Sequence, residues 1–232
     1  MFRFKQFAID DSHSAMKIGT DGVLLGAWAR VEGCRSILDV GTGKGLIALM
    51  AAQRNAEARI TAIDIDASAA GEARSNADRS PWGSRITTMC ADVRSYTSDL
   101  KFDHIVSNPP YFNESLRSPD VARSMARHTD TLAFGELVVA AERLLVQGGV
   151  LSVVLPTDGA AQFRREAFGR LWLSRVTDVV TCEGEAPKRT MMEFTLTSQP
   201  LMPRCDTLII RNRNGEYTEE YRRLTEEFYL AF

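Results

Sequence analysis

This sequence has little with which to build a metal or redox centre. Its four cysteines, Cys34, Cys90, Cys182 and Cys205, stand far apart with no CxxC pair, and three histidines in 232 residues form no cluster beside them. Zinc, iron–sulfur and redox-motif readings therefore fail on spacing, and reduced, mostly buried thiols are expected. A long apolar run is also missing: nothing approaches the roughly 20 residues that span a bilayer. Met1 to Gln6 at the amino terminus are not followed by the apolar core of a leader. No membrane association and a cytoplasmic location are expected. Charge of one sign is lacking too, since 28 Lys and Arg face 30 Asp and Glu for a net charge of −2. That balance weakens bulk non-specific RNA or DNA binding, and any nucleic-acid contact must come from local patches. What remains is ordinary globular material, 44% hydrophobic and 25% charged, long enough for one large α/β domain.

The organising stretch upstream is a strand, a glycine loop and a helix. Ser36 to Val40 reads as a five-residue strand that runs into Gly41-Thr42-Gly43-Lys44-Gly45, and Leu46 to Arg54 continues as helix. Two nucleotide motifs fail here. A phosphate loop needs a glycine where Leu38 stands and a hydroxyl residue after Lys44, where Gly45 stands. A dinucleotide fingerprint needs Gly or Ala where Leu46 stands. The tighter glycine spacing, preceded by Asp39, leaves room for a zwitterionic amino-acid moiety near the turn. A second strand, Arg59 to Asp64, ends about 20 residues beyond the loop, the spacing of a carboxylate that holds a ribose diol. Asp66 reads as the start of a helix, and a third strand, Ile86 to Ala91, closes on Asp92, which can accept from an adenine amino group. Before all of this, Thr20 or Asp21 reads as the cap of an apolar helix.

The fourth strand candidate, Phe102 to Val106, leads into Ser107-Asn108-Pro109-Pro110-Tyr111. Asn-Pro and Pro-Pro are ordinary turn signals. They also stiffen the chain and remove two donors, so Asn108 and the Pro109 carbonyl can accept both protons of a planar amino group while Tyr111 lies on its ring. Residues 112 to 132 form a long polar stretch with Arg117, Arg123, Arg127 and His128, read as a lid or RNA-contacting loop, with ordinary solvated surface as the alternative. Further on, the pattern predicts helix over Phe134 to Gln147, strand over Val150 to Leu155 and helix over Ala160 to Leu171. Strands over Val176 to Cys182 and Met191 to Thr197 then flank a loop with Lys188 and Arg189. Tyr217, Tyr221, Leu224 and Phe228 at helical spacing predict a docking face.

With these pieces in place, the chain resembles a class I S-adenosylmethionine methyltransferase, and more narrowly the bacterial tRNA1(Val) adenine-37 N6-methyltransferase family. The resemblance covers nearly the whole length. It is carried by Phe4-Lys5-Gln6-Phe7, Ala15 to Gly22, Leu24 to Ala29, Ser80-Pro81-Trp82, Ser107 to Tyr111, Val154-Leu155-Pro156 and Phe228-Tyr229-Leu230. It implies a Rossmann-like α/β fold: a seven-stranded, mostly parallel sheet with its last strand antiparallel and helices on both faces. The whole of 1–232 would be one catalytic domain, with 1–35 as an arm and helix and 36–232 as the core with a carboxyl-terminal extension. S-adenosyl-L-methionine would lie against Thr20, Asp21, Asp39, Gly41, Thr42, Gly43, Gly45, Asp64, Ile65, Asp92, Val93 and Asn108. Asp64 stands where the family usually has Glu. The catalytic set would be Asn108, Pro109, Pro110 and Tyr111, acting on a tRNA anticodon loop that Tyr111, Arg117, Arg123, Arg127, Lys188 and Arg189 would contact. No metal and no obligatory protein partner are implied. Two rivals remain. A protein glutamine N5-methyltransferase shares Asn-Pro-Pro-Tyr but usually carries a helical domain before the glycine loop, for which about 35 residues leave little room. A non-enzymatic RNA-binding protein on this fold is expected to have lost the glycines or Asn108.

Overall fold

The computed structural model describes residues 1–10, 18–109 and 132–231. A short antiparallel hairpin, Phe2–Arg3 (β1) with Ala8–Ile9 (β2), precedes the helix Thr20–Trp28 (α1). Alternation then begins: Ser36–Val40 (β3), Leu46–Arg54 (α2), Arg59–Asp64 (β4), Ala67–Asp78 (α3), Ile86–Cys90 (β5) and Phe102–Ser107 (β6). The second half runs Phe134–Leu144 (α4), Leu145–Pro156 (β7), Thr157–Ala167 (α5), Trp172–Cys182 (β8), Arg189–Thr195 (β9), Arg204–Arg211 (β10) and Glu219–Thr225 (α6). Eight strands make one sheet in the order β10-β8-β9-β7-β6-β3-β4-β5, and β9 alone runs antiparallel to the rest.

The sheet is covered on both faces, which is why its strands read as near-continuous apolar runs. Neighbouring residues go to opposite sides. Ile37, Val106, Val154 and Met191 join one buried cluster with α1, α2 and the hairpin. Leu38, Ile105, Val153 and Met192 join the other, with α4 and α5. On the first face α1 lies close on α2 through two glycines four residues apart. A Cβ at Gly26 would stand 2.6 Å from Met50 Sδ, and one at Gly22 would stand 2.9 Å from Leu46 Cδ2.

Several elements differ from expectation. The sheet has eight strands, not seven, because β10 adds a parallel edge beside β8; its first four residues are exposed, so no apolar pattern announces it. The helix over 134 ends at Leu144, not Gln147, since Leu145 pairs with Phe102 and Gly148 takes a left-handed φ of 82°. The strand that follows is correspondingly longer. The next helix occupies 157–167, and β8 and β9 begin earlier than expected. Gly19, not Thr20 or Asp21, is the N-cap of α1, with no side-chain cap. None of the four free cysteines is buried; Cys90 and Cys205 are exposed. The carboxyl-terminal stripe does dock: Tyr221 and Phe228 enter the first cluster, with Tyr217 and Leu224 packed against it.

Candidate active site

Parallel pairing brings the carboxyl ends of β3, β4, β5 and β6 to one edge, and the loop glycines, Asp39, Asp64, Asp92 and Asn108 gather there. Gly41, Gly43 and Gly45 have φ of 70°, 53° and 83°. Any side chain would strain that left-handed backbone by about 1 kcal/mol per residue. A Cβ on Gly41 or Gly43 would meet nothing within 4 Å, so the loop opens upward, whereas one on Gly45 would stand 3.4 Å from Ala73. Beneath the loop Asp39 is fully buried. Its Oδ2 accepts from the Thr42 hydroxyl at 2.6 Å and the Ala48 amide at 3.1 Å. Its Oδ1 has no hydrogen-bond partner among the described residues. Burial pushes its carboxyl up to about 7.

Asp64 closes the loop from the next strand. Its Oδ2 accepts from the Gly43 amide at 2.9 Å and its Oδ1 from the Asp66 amide at 3.0 Å, while Gly41 and Thr42 both donate to the Ile63 carbonyl. Asp66 caps α3 through the Ser68 amide at 2.7 Å. Beside Asp64, Ile65 is 46% exposed, an apolar surface at a polar edge. Asp92 reaches the same edge but faces another partner than expected. Arg94 Nε donates to both of its oxygens, at 2.9 and 2.8 Å, and this holds the carboxyl below the usual range. Val93 is a core residue whose carbonyl accepts from Arg143, so its side chain is not presented at this edge.

The turn after β6 is tied to the loop: the Ser107 hydroxyl donates to the Val40 carbonyl at 2.9 Å. Asn108 is half-buried and Pro109 buried. The α1 backbone passes close by, since a Cβ on Gly22 would stand 3.9 Å from Asn108 Nδ2. Pro110, Tyr111, Arg117, Arg123, Arg127 and His128 lie outside the described residues. In the first turn of α1, Asp21 accepts from Arg189 Nε at 2.7 Å, across 168 residues. Arg189 is thus held by a carboxylate, and Lys188 pairs with Glu185 at 2.9 Å. Thr20 lines a cavity with Tyr217 and Tyr229, not the glycine loop.

A family model described as the methyltransferase small domain matches residues 12–173. A tRNA1(Val) (adenine(37)-N6)-methyltransferase of Bacteroides fragilis is 47% identical over 99% of this chain and 97% of its own length. The chain belongs to this methyltransferase family. Among solved structures, a predicted O-methyltransferase of Agrobacterium tumefaciens superposes with a TM-score of 0.72 at 22% identity, over 89% of this chain and 96% of that one. The N-methyltransferase NodS of Bradyrhizobium japonicum, in complex with S-adenosyl-L-homocysteine, gives 0.53 at 17% identity over 75% and 83%. The methyltransferase fold is therefore this chain's fold. Its donor set suits a cationic amino-acid cofactor: an orphaned buried carboxylate oxygen, glycines with open space above them, and a second carboxylate at the loop.

Sequence reasoning missed three features, two of them at this methyltransferase edge and one within the body of the sheet. Arg94 carried one cue, its position two residues after Asp92. The Gly22-xxx-Gly26 spacing was a legible sign of close helix contact. The third is a buried polar row on the α1 face of the sheet. His104 Nδ1 donates to the Arg30 carbonyl at 3.1 Å, so its Nε2 accepts from Ser152 at 2.8 Å, and burial lowers its pKa to about 4. Glu193 accepts from the Arg30 amide at 3.2 Å and faces Arg175, whose guanidinium lies 4.1 Å from the Trp28 ring centroid.

Proposed function

We propose that the protein transfers the methyl group of S-adenosyl-L-methionine to N6 of adenine 37 in the anticodon loop of tRNA1(Val), in the cytoplasm, with 1–232 acting as one catalytic unit. The observation that carries this reading is near-full-length relatedness to a protein of that name, at 47% identity. The retained glycines and Asn108 speak against a non-enzymatic RNA-binding relative.

Asp39, Asp64, Ile65 and the loop glycines would hold the cofactor, which supplies an electrophilic methyl when bound. The protein's task is then alignment and exclusion of water. Adenine N6 is a poor nucleophile because its lone pair is conjugated into the ring. Asn108 Oδ1 and the Pro109 carbonyl accept hydrogen bonds from its two N–H groups, drawing the nitrogen towards tetrahedral geometry and stabilising the charge that develops there; one of the two protons leaves to solvent once the methyl has transferred. The Ser107 to Val40 hydrogen bond holds this turn at a set distance from the glycine loop. A single-stranded loop presents its adenine for little unstacking energy. Cations for the RNA backbone are expected from Arg117, Arg123 and Arg127, with Lys188 and Arg189 contributing only if they leave Glu185 and Asp21. The test is incubation with labelled cofactor and unmodified tRNA1(Val), followed by nucleoside mass spectrometry. N6-methyladenosine at position 37 is expected. Methylation of a release-factor peptide and not of tRNA would favour the glutamine enzyme instead.

A further inference from the structure

Beside the catalytic turn lies a second concavity that the reaction does not use. A cavity of about 250 Å³ is lined by Phe2, Thr20, Val23, Tyr217, Tyr221 and Tyr229. One helix links the two places: on α1, Gly22 faces Asn108 while Thr20 and Val23 face the cavity. Four of the walls are aromatic. Tyr217 and Tyr221 stack with centroids 5.1 Å apart at 25°, and Phe2 packs at 4.8 Å on Phe4, which in turn meets Tyr229 at 6.1 Å. Phe2, Tyr217 and Tyr229 are half-buried; the Tyr217 ring is packed by Tyr221 and Arg211, so Phe2 and Tyr229 carry the partly exposed aromatic surface at the opening. Polar groups stand at the rim. The Thr20 side chain is exposed, and the N-cap of α1 is Gly19, which offers no side-chain cap. Arg211 lies 3.9 Å from the Tyr217 ring centroid, and Arg222 Nε donates to the Tyr217 carbonyl at 3.2 Å. The volume falls below the roughly 300 to 1,000 Å³ of sites for drug-sized ligands, and suits one planar ring system.

We propose that this cavity is a second base-binding subsite, which takes a nucleobase flanking the adenine that is methylated. The inference rests on the RNA-substrate reading above. Drawing one base out of a single-stranded loop unstacks its neighbours, and an aromatic wall with an arginine beside it restores the lost stacking without reading sequence. The geometry also gives the protein a second point of attachment, so the strand is held on both sides of α1 and the target base is oriented at Asn108.

The experiment uses the full chain and anticodon stem-loop RNAs in which one nucleotide, at each of the two positions on either side of the target adenine, is made abasic. Methyl transfer is measured with the unaltered protein, Tyr229→Leu and Phe2→Leu. One abasic position should raise KM for RNA about tenfold, within the range for loss of one base stack, with kcat changed little. The two variants should show the raised KM with the intact loop and no further rise with that abasic RNA. Equal KM for all four abasic RNAs, or abasic and variant effects that multiply, would overturn the subsite while leaving the RNA methyltransferase standing. Failure of the unaltered protein to methylate any of the RNAs would overturn both. Tyr229 and Phe2 line the cavity independently, so either variant that folds carries the test.

Discussion

At the scale of single residues, Asn108 and Asp39 have separable roles. Asn108→Ala removes one of two acceptors for the target amino group and leaves in place the bonds from Thr42, Gly43 and Ala48 to Asp39 and Asp64 that shape the glycine loop. Turnover should fall about a hundredfold, the scale for an oriented polar group lost from a transition state, while calorimetry finds cofactor affinity near that of the parent. Parental turnover would reduce Asn108 to a turn residue. Asp39 and His104 predict a pH dependence with opposing signs. The folded Asp39 keeps its proton up to about pH 7, whereas the unfolded chain loses it near 3.8, so stability falls as pH rises through that window. The folded His104 refuses a proton down to about pH 4 that the unfolded chain takes below 6.5, so stability rises with pH through that window. Each slope is about 1.4 kcal/mol per pH unit, and between pH 4 and 6.5 they oppose one another. Asp39→Asn removes only the first. Urea denaturation of the apo protein at pH 5, 6.5 and 7.5 should therefore show the variant gaining stability relative to the parent as pH rises; parallel curves would contradict a protonated Asp39. The amide placed where Oδ1 stood changes stability equally at every pH, so the slope is the observable.

At the scale of elements, two helical glycines make a matched pair. Gly26→Ala gains about 1 kcal/mol of helix propensity, but its Cβ would stand 2.6 Å from Met50 Sδ and 3.1 Å from Met50 Cβ, and α1 must move off α2. A net loss of about 1 to 2 kcal/mol in chemical denaturation is expected. Gly71→Ala on α3 meets nothing within 4 Å and should stabilise by about 0.5 to 1 kcal/mol. Equal effects would mean that the α1–α2 contact relaxes freely. The elements legible in the sequence were the local ones. β3, α2 and β4 keep their expected bounds because a continuous apolar run, three glycines and a second run identify them within 30 residues. Helix ends over 134–171 were misjudged because Leu144-Leu145-Val146 continues a helical pattern that pairing with Phe102 interrupts. β10 was missed because an edge strand needs no apolar period on its exposed half.

At the scale of the whole molecule, the buried row from His104 to Arg175 ties α1 to four strands of the sheet. Glu193→Ala should leave the Arg30 amide without its acceptor and the Arg175 guanidinium without its paired carboxylate, though still bonded to the Trp28 carbonyl, and lower stability by about 1 to 3 kcal/mol, measured by denaturant unfolding. The double variant with Arg175→Met should recover part of that loss; no recovery would mean that packing and not charge is at stake. The same long-range pairing explains which parts of the site could be read in advance. The glycine loop, Asp64 and Asn108 were visible because open α/β sheets bring strand carboxyl ends to one edge, so a sequence that announces parallel strands also announces its ligand edge. Sequence alone determined the fold class, the family and that edge, since each depends on short runs of backbone-directing residues. Only tertiary structure decided that Asp21 meets Arg189, that Arg94 takes both oxygens of Asp92, that Val93 turns into the core, and that Asp39 lies where its carboxyl keeps a proton. Those outcomes depend on register and burial, which are properties of packed neighbours up to 168 residues apart and have no local signature.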